Sequence, residues 1–172
     1  MKLLSLEMDG KVLEELYQRY ARKLTSFCNR MLSNKEKAGD MVQEVFIKII
    51  EKPNAFDTQQ KFSTWIFTVA NNLCLNAIRN EQNRQRLLSE HYIIDEQFIQ
   101  HPTLDVKLIK TKMNIIFKDL SEKEKAVFIF RFEHELNIKE IATILNIPEG
   151  SVKSCLYYML KKISNHLSPY TN

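Results

Sequence analysis

A row of polar side chains recurs at spacings of four, four and three residues in the segment 63–80, "STWIFTVANNLCLNAIRN". Helical winding places such a row along one side of a helix. Amides and hydroxyls there can hydrogen-bond the exposed edge of an unpaired nucleic-acid base, an edge that a duplex hides. The row consists of Thr68, Asn72, Asn76 and Arg79. This is the chemistry of binding, and no catalytic residue accompanies it.

The other side of the same helix is apolar and predicts burial, with Ser63 or Thr64 as the N-cap. Two aromatic residues near the helix start, Trp65 and Phe67, can either stack on a base or pack in a core. We expect Trp65 in the core, since a tryptophan at a helix start is more often packed than exposed. The apolar positions at helical spacing are Ile66, Val69, Ala70, Leu73 and Ala77.

An acidic ridge with an apolar inset is predicted on an earlier helix, "SNKEKAGDMVQEVFIKIIEKP". Ser33 followed by Glu36 indicates a capping box, and Pro53 ends the helix. The ridge, with Gln43 at its flank, suits docking to a basic partner helix; a solvated acidic face without a partner is the alternative. The ridge consists of Asp40, Glu44, Ile47 and Glu51. The residues expected on the opposite side are Met41, Val45, Phe46, Ile49 and Ile50.

Two short helices joined by "NIPEG" predict a helix-turn-helix, whose second helix enters the major groove of DNA. Asn146 stands where the turn needs a left-handed residue, and Ser151 can hold a phosphate at the positive end of the second helix. The alternative is an ordinary helical hairpin with solvated lysines and packed tyrosines. The outward positions are Lys153, Ser154, Tyr157, Tyr158 and Lys161. The inward positions are Ile138, Ile141, Ala142, Leu145, Ile147, Val152, Leu156, Met159 and Ile163.

The cysteines and histidines support neither a disulfide framework nor a metal site. The three cysteines are far apart and form no CxxC pair, which indicates reduced thiols in a cytosolic protein. The histidines show no HExxH or other metal-ligand spacing. We therefore expect no metal, no cofactor and no enzymatic activity. These residues are Cys28, Cys74, Cys155, His91, His101, His134 and His166.

The composition predicts an all-α protein in the cytoplasm. Only 3 glycines and 4 prolines in 172 residues leave few tight turns, while an apolar content of 44% suffices for a core. The formal charge of +4 permits a polyanionic partner without requiring one. Glu7 and Asp9 interrupt the apolar start of the chain, so we expect no signal peptide. No apolar run approaches the ~20 residues that span a membrane, so no membrane insertion is expected.

The patterning predicts two small helical domains joined by a flexible linker. The first domain, 1–86, holds three long helices. The segment 87–105 is acidic, weakly periodic and interrupted by Pro102, as expected of a linker. The second domain, 106–172, contains the helix-turn-helix and a preceding helix that Ser121 and Glu124 cap.

Three motifs, in this order, resemble those of the small bacterial sigma factors of the extracytoplasmic-function (ECF) group. They are "DMVQEVFIKI", "KFSTWIFTVANNLCLNAIR" and "EIATILNIPEGSVKSCLYYMLKKI". The similarity covers nearly the whole chain outside the linker. It implies a transcription initiation factor that binds core RNA polymerase, recognises the minus-ten and minus-thirty-five promoter elements and melts the former. It also implies an anti-sigma factor as a partner.

The resemblance implies a role for each surface. The "DxxQE" helix of the family meets the clamp helices of the largest polymerase subunit. The third helix and the loop before it capture flipped-out bases of the non-template minus-ten strand, with Asn72 foremost. For core binding, the resemblance covers Asp40, Gln43 and Glu44, and the ridge adds Ile47 and Glu51. For the minus-ten strand, it carries over Lys61, Phe67, Asn71, Asn72 and Asn76, and the polar row adds Thr68 and Arg79. For the minus-thirty-five element, it gives a role to the outward positions and the N-terminal serine of the second helix, Ser151, Lys153, Ser154, Tyr157, Tyr158 and Lys161.

The predicted recognition helix departs from the family pattern. Typical members carry arginine at the position of Cys155 and often another near Tyr158, so this helix has fewer bidentate guanine readers. Asn146 also replaces the usual turn glycine. Two other functions stay open: a helix-turn-helix regulator that binds duplex DNA without polymerase, and an α-helical adaptor for protein partners. The first leaves the acidic ridge unused, and the second makes the order of the motifs a coincidence.

Overall fold

The computed structural model describes residues 10–52, 55–88, 115–117 and 119–167, and this part of the chain contains helices and turns but no strand. The predicted all-α class is therefore confirmed. Helix α1 spans Gly10–Leu32, α2 spans Lys35–Glu51 and α3 spans Phe62–Leu88. Helix α4 spans Glu122–Phe128 and continues into a π-helical turn, Ile129–Glu133; α5 spans Ile138–Leu145 and α6 spans Glu149–Leu167.

Two helix starts differ from the predicted caps. Ser33 closes α1 with a left-handed φ of 51°, and Asn34 caps α2 by accepting the Lys37 N–H at 2.9 Å. The Ser33 cap is wrong because only the extended backbone of the next residue aims a side-chain oxygen at the first turn. Helix α3 already begins at Phe62, so Ser63 and Thr64 lie inside it rather than at its N-cap.

The helix-turn-helix follows the prediction. Asn146 adopts the left-handed conformation, with φ 51° and ψ 50°. The Ser121 capping box is present, since the Ser121 N–H donates to Glu124 Oε2 at 2.8 Å. The four predicted inward residues that are buried are Ile141, Ala142, Val152 and Met159; those that are partly buried are Ile138, Leu145, Ile147, Leu156 and Ile163.

A second capping box begins α5 and was not predicted. Asn137 Oδ1 accepts the Glu140 N–H at 2.9 Å, and Glu140 Oε2 accepts the Asn137 N–H at 3.1 Å. Asparagine followed three residues later by glutamate is the signal that would have found it. The box fixes where α5 starts and holds the Glu140 carboxylate in place.

One continuous core joins the N-terminal unit, helices α1 to α3, to the C-terminal unit, residues 115–117 and helices α4 to α6. Phe27 of α1 stacks on Phe130 of the π-helical turn, with ring centroids 4.6 Å apart and planes at 12°. Helix α3 runs through Leu88, two residues into the predicted linker 87–105, and the remainder of that linker lies outside the described residues. Among the described helices, none combines the length and the apolar character needed to cross a membrane.

Candidate nucleic-acid interface

Helix α3 has a wide buried arc beside an open side. Ile66, Ala70 and Cys74 lie within about 80° of one another and are fully buried where α3 packs on α1 and α2. Phe67 and Asn71 widen the buried arc to about 140° from Ile66, because the C-terminal unit covers that flank. The open side carries three of the predicted minus-ten residues, Asn72, Asn76 and Arg79, all exposed.

The structure places Phe67 in the core rather than on the open side. Its side chain is 3% exposed, and its ring meets Phe27 at 6.0 Å and Phe130 at 5.6 Å edge to face. The sequence left both stacking on a base and core packing open for Phe67, because it lies about 100° from Ile66, at the margin of the apolar stripe. Only a second packing partner decides whether such a marginal position is buried.

Thr68 and Asn71 also differ from the exposed residues of the row. Thr68 is half-buried, and its hydroxyl donates to the Thr64 carbonyl at 2.9 Å. Asn71 is 2% exposed, and its Oδ1 has no hydrogen-bond partner in the protein. It lines a cavity of about 180 Å³ between α3 and the C-terminal unit. A base contact by Asn71 therefore requires this side of α3 to be uncovered.

An aromatic cluster supports the start of α3. Phe56, Phe62 and Trp65 lie with their ring centroids 5.3 to 5.6 Å apart, and Tyr20 of α1 reaches Phe62 at 5.4 Å. Trp65 is partly buried, as expected of a packed residue. The sequence reasoning did not single out Phe56 or Phe62, although aromatic residues that flank a polar connector are a signal of packing. The cluster fixes the loop that carries Lys61.

Lys61 forms an ion pair across the two units. Its Nζ donates to Glu140 Oε1 at 2.7 Å, while the lysine side chain remains largely exposed. The Lys61 ammonium, followed by the Asn137 backbone amide, holds the pKa of the Glu140 carboxyl below its usual value. Lys61, which the sequence assigns to minus-ten binding, is therefore paired with a carboxylate of the helix-turn-helix.

The acidic ridge of α2 faces solvent. Asp40, Gln43, Ile47 and Glu51 are exposed, and Glu44 is half-buried with its carboxylate 3.2 Å from Lys48 Nζ.

One residue assigned to the buried side of α2, Ile50, is 51% exposed. It lies about 140° from Val45, outside the arc that α1 covers, and next to exposed Ile47. Tyr17 of α1, half exposed, packs on Phe46 nearby at 5.0 Å. The solvent-facing side of α2 is therefore more apolar than the sequence predicted.

The outward face of α6 is open to solvent. The five residues predicted on it are exposed, and Ser151 at its N-terminal end is half-buried. Tyr157 and Tyr158 meet edge to face at 5.4 Å. A groove of about 510 Å³ runs between the start of α4 and the start of α6. The groove is lined by Ser121, Lys123, Glu124, Gly150, Ser151, Ser154, Cys155 and Tyr158.

Two of the three cysteines are fully buried, and the third, Cys155, is partly buried. Cys28 and Cys74 are fully buried; the hydrogen bond from Cys28 and then burial raise the pKa of the Cys74 thiol. Burial, followed by the Glu124 carboxylate, raises the pKa of Cys155. Within the described ranges, no three histidine, cysteine or acidic side chains come together as a set that could hold a metal ion.

Two protein families match the chain, one for each unit. Sigma-70 region 2 matches residues 16–84, and Sigma-70, region 4 matches residues 116–165. The ECF RNA polymerase sigma factor SigW of Bacillus subtilis is 30% identical over 160 residues, which cover 87% of this chain and 85% of that protein.

Solved structures share the fold. The sigma factor RpoE, in a co-crystal structure with the anti-sigma factor NepR from Bartonella quintana, aligns with a TM-score of 0.71 at 20% identity, over 92% of this chain and 98% of that chain. CnrH, solved in complex with the cytosolic domain of CnrY, aligns with a TM-score of 0.65 at 15% identity, over 95% and 92%. The two-unit helical fold is therefore that of known sigma factors.

Proposed function

This chain belongs to the ECF RNA polymerase sigma factors, the bacterial initiation factors that bind core RNA polymerase and direct it to promoters, and we propose how its surfaces divide that work. The open side of α3 reads the unpaired minus-ten strand, the ridge of α2 docks on core polymerase, and the outward face of α6 reads the minus-thirty-five duplex. A protein with these tasks acts in the cytoplasm, needs no cofactor and catalyses no reaction of its own.

The exposed amides of α3 carry the minus-ten assignment. Asn72 and Asn76 lie one helical turn apart on the open side. Arg79 extends the row with a cation that suits a phosphate of the DNA strand. A side-chain amide offers both a donor and an acceptor to a base edge. A captured base offsets the few kcal/mol that unpairing costs, so melting needs binding energy rather than catalysis. Lys61 and Asn71 join this surface once they are released from the C-terminal unit.

The ridge of α2 combines charge with apolar area, as a docking surface should. Asp40, Glu44 and Glu51 offer carboxylates, and Ile47 with Ile50 offers about half of each isoleucine side chain to a partner. Interface centres combine such apolar contacts with a polar rim. Gln43 completes the proposed core-binding set.

The outward face of α6 binds the minus-thirty-five duplex with few side chains that can recognise guanine. Lys153 and Lys161 suit phosphates, Ser151 and Ser154 suit phosphates or base edges, and the two exposed tyrosines add aromatic contacts. Affinity is then shared with the minus-ten contacts and with polymerase, as in any linked two-site binder.

An anti-sigma factor is a further proposed partner. One of the two structural relatives named above was solved with the anti-sigma factor NepR, and the other with the cytosolic domain of CnrY. The half-exposed apolar residues of α1 and α2, Val12, Tyr17, Ile47 and Ile50, offer such a partner a surface that polymerase would also use.

Run-off transcription with purified bacterial core polymerase on a promoter library tests the proposed function. We expect transcripts from a small subset of promoters that share a minus-ten element. Duplex binding without core association would favour a helix-turn-helix regulator, and the absence of both transcripts and core binding would overturn the division of work proposed here.

A further inference from the structure

We propose that Tyr158, supported by Tyr157, recognises the 5-methyl group of a thymine in the minus-thirty-five duplex, so that this protein selects an A·T pair where an arginine at the same position would select guanine. The inference rests on the proposed use of α6 as the helix that enters the major groove. It concerns which base is selected there and which side chain selects it.

Two adjacent tyrosines form the most exposed aromatic surface in the part of the chain that the structure describes. Tyr157 is 62% exposed and Tyr158 is 65% exposed. Their rings meet edge to face, with centroids 5.4 Å apart and planes at 77°. This contact restricts both rings but covers little of either, because each ring gives only an edge or one face to its neighbour. The pair therefore offers a partner an apolar surface that is already held in place.

Tyr158 lies on a line of side chains that starts near the N-terminus of α6. Ser151, Ser154 and Tyr158 follow one another at spacings of three and four residues, so they share one side of the helix. The two serines are small and leave room for base edges to approach the first two turns, which are the turns that a recognition helix presents to DNA. Tyr158 is the first large side chain on this line, about 10 Å from Ser151 along the helix axis. Base pairs that reach the third turn therefore meet an aromatic ring.

The groups that a base presents in the major groove decide whether such a ring suits it. Guanine presents two acceptors, O6 and N7, which an arginine fills with two N–H donors; thymine presents one acceptor, O4, and a 5-methyl group. A tyrosine has one hydroxyl, so a guanine covered by Tyr158 would keep an unpaired acceptor. A thymine methyl group instead loses contact with water against the ring, which is favourable. Tyr158 therefore selects thymine over guanine.

The neighbours of Tyr158 do not supply the missing guanine contact. Helix α6 contains no arginine, and the side chain of Cys155, beside the groove between α4 and α6, is only a weak donor. Glu124 lines the same groove, and its Oε2 accepts the Ser121 N–H at 2.8 Å and the Ser121 hydroxyl at 2.7 Å. This fixed carboxylate repels the acceptor edge of a guanine. Lys153, on a neighbouring line of the helix, suits a phosphate or a single guanine at another base pair.

Replacing single thymines by deoxyuridine tests the methyl contact, because uracil differs from thymine only by lacking the methyl group. The full-length chain is bound to core polymerase, and the duplex is a promoter selected by run-off transcription, with deoxyuridine at one upstream position at a time. We expect one position at which the exchange weakens binding about fourfold, the equivalent of about 0.8 kcal/mol for one buried carbon group. At that position 5-methylcytosine should bind more tightly than cytosine, for the same reason.

Side-chain variants then assign the contact to the ring. Tyr158→Ala should bind the thymine and uracil duplexes equally, whereas Tyr158→Phe should keep the difference of about fourfold because it keeps the ring. Phe132→Ala, at an exposed aromatic residue of the same unit outside α6, is the matched control and should also keep it. Tyr158→Arg should shift the preference at this pair from thymine toward guanine, by about tenfold.

The inference is overturned by equal binding of thymine and uracil duplexes at every upstream position, by a difference that persists in Tyr158→Ala, or by a Tyr158→Arg variant that still prefers thymine. If tight binding still requires the upstream element in these cases, the assignment of α6 to the groove stands and only the selected base is wrong. If scrambling the whole upstream element does not weaken binding, the groove assignment itself is wrong, and the inference fails with it.

Discussion

Helices α3 and α6 both carry predicted DNA contacts, but a wider arc of α3 is buried. The five outward residues of α6 are exposed as helical winding predicts, because one neighbouring surface covers the other side of the helix. Helix α3 packs on α1 and α2 along one flank and on α5 along another, so its buried arc is wider. The comparison shows that the exposed side of a helix depends on how many other elements pack against it, as well as on its own polar and apolar pattern.

The largest effect is expected where the two units share their core. Phe130→Ala removes a fully buried ring that contacts Phe27 and Phe67, and should lower the free energy of unfolding by about 3–5 kcal/mol. Phe132→Ala, at a half-exposed neighbour, is the control and should cost about 1 kcal/mol or less. Urea unfolding measures both; equal losses would show that these three rings are not a centre of the fold.

Asn72→Ala tests the open side of α3. We expect promoter opening, monitored by permanganate reactivity of minus-ten thymines, to fall about tenfold or more, since leaving the captured base without its hydrogen-bond partner costs on the order of 1–3 kcal/mol. Core binding should be unchanged. Asn29→Ala, at an exposed asparagine of α1, is the control. A parallel loss of core affinity in Asn72→Ala would make Asn72 a structural residue.

Lys153→Ala and Tyr158→Ala test the face of α6. Each should weaken use of the upstream element severalfold, by about 1 kcal/mol, while single-stranded minus-ten binding stays constant. Transcription from promoters with and without an intact minus-thirty-five element separates the two effects. Tyr158→Phe keeps the ring and tests the hydroxyl alone. Unchanged promoter preference in both alanine variants would contradict the assigned groove face.

Acidification is expected to act weakly on the covered flank of α3. Burial, followed by the Lys23 ammonium, lowers the pKa of His134 below its ordinary value of 6.5. The unfolded chain therefore binds the proton more readily, so the contribution of His134 to folding stability is complete above about pH 6.5 and declines below it. The slope cannot exceed about 1.4 kcal/mol per pH unit.

Urea unfolding of the full-length chain between pH 7.5 and 5.5 measures this dependence. The neighbouring charges that titrate or screen are Glu133 and Glu135 beside the histidine and Lys23 opposite it. His134→Gln keeps a polar side chain and removes the proton site. The idea fails if the glutamine variant shows the same pH dependence as the parent.

Much of the site was predictable from local pattern. Helical periodicity predicted the exposed faces of α2 and α6, and Asn146 and Ser121 marked the turn and the cap because their conformations and hydrogen bonds involve only nearby residues. The predictions failed where two neighbouring residues could each cap a helix, or where a side chain lies at the edge of an apolar stripe. Asn34 replaced the adjacent Ser33 as the N-cap, and Ile50, at the edge of its stripe, stayed exposed.

The sequence by itself determined the helices, the helix-turn-helix and the side of each helix on which the polar groups stand, since these depend on contacts within about four residues. Only the tertiary structure decided that Phe67 and Asn71 are covered and that Lys61 is paired with Glu140. Those contacts join residues 63 and 79 positions apart, as in Phe67 with Phe130 and Lys61 with Glu140. A helix pattern records which residues share a face, but burial of that face requires a second surface that a distant segment supplies.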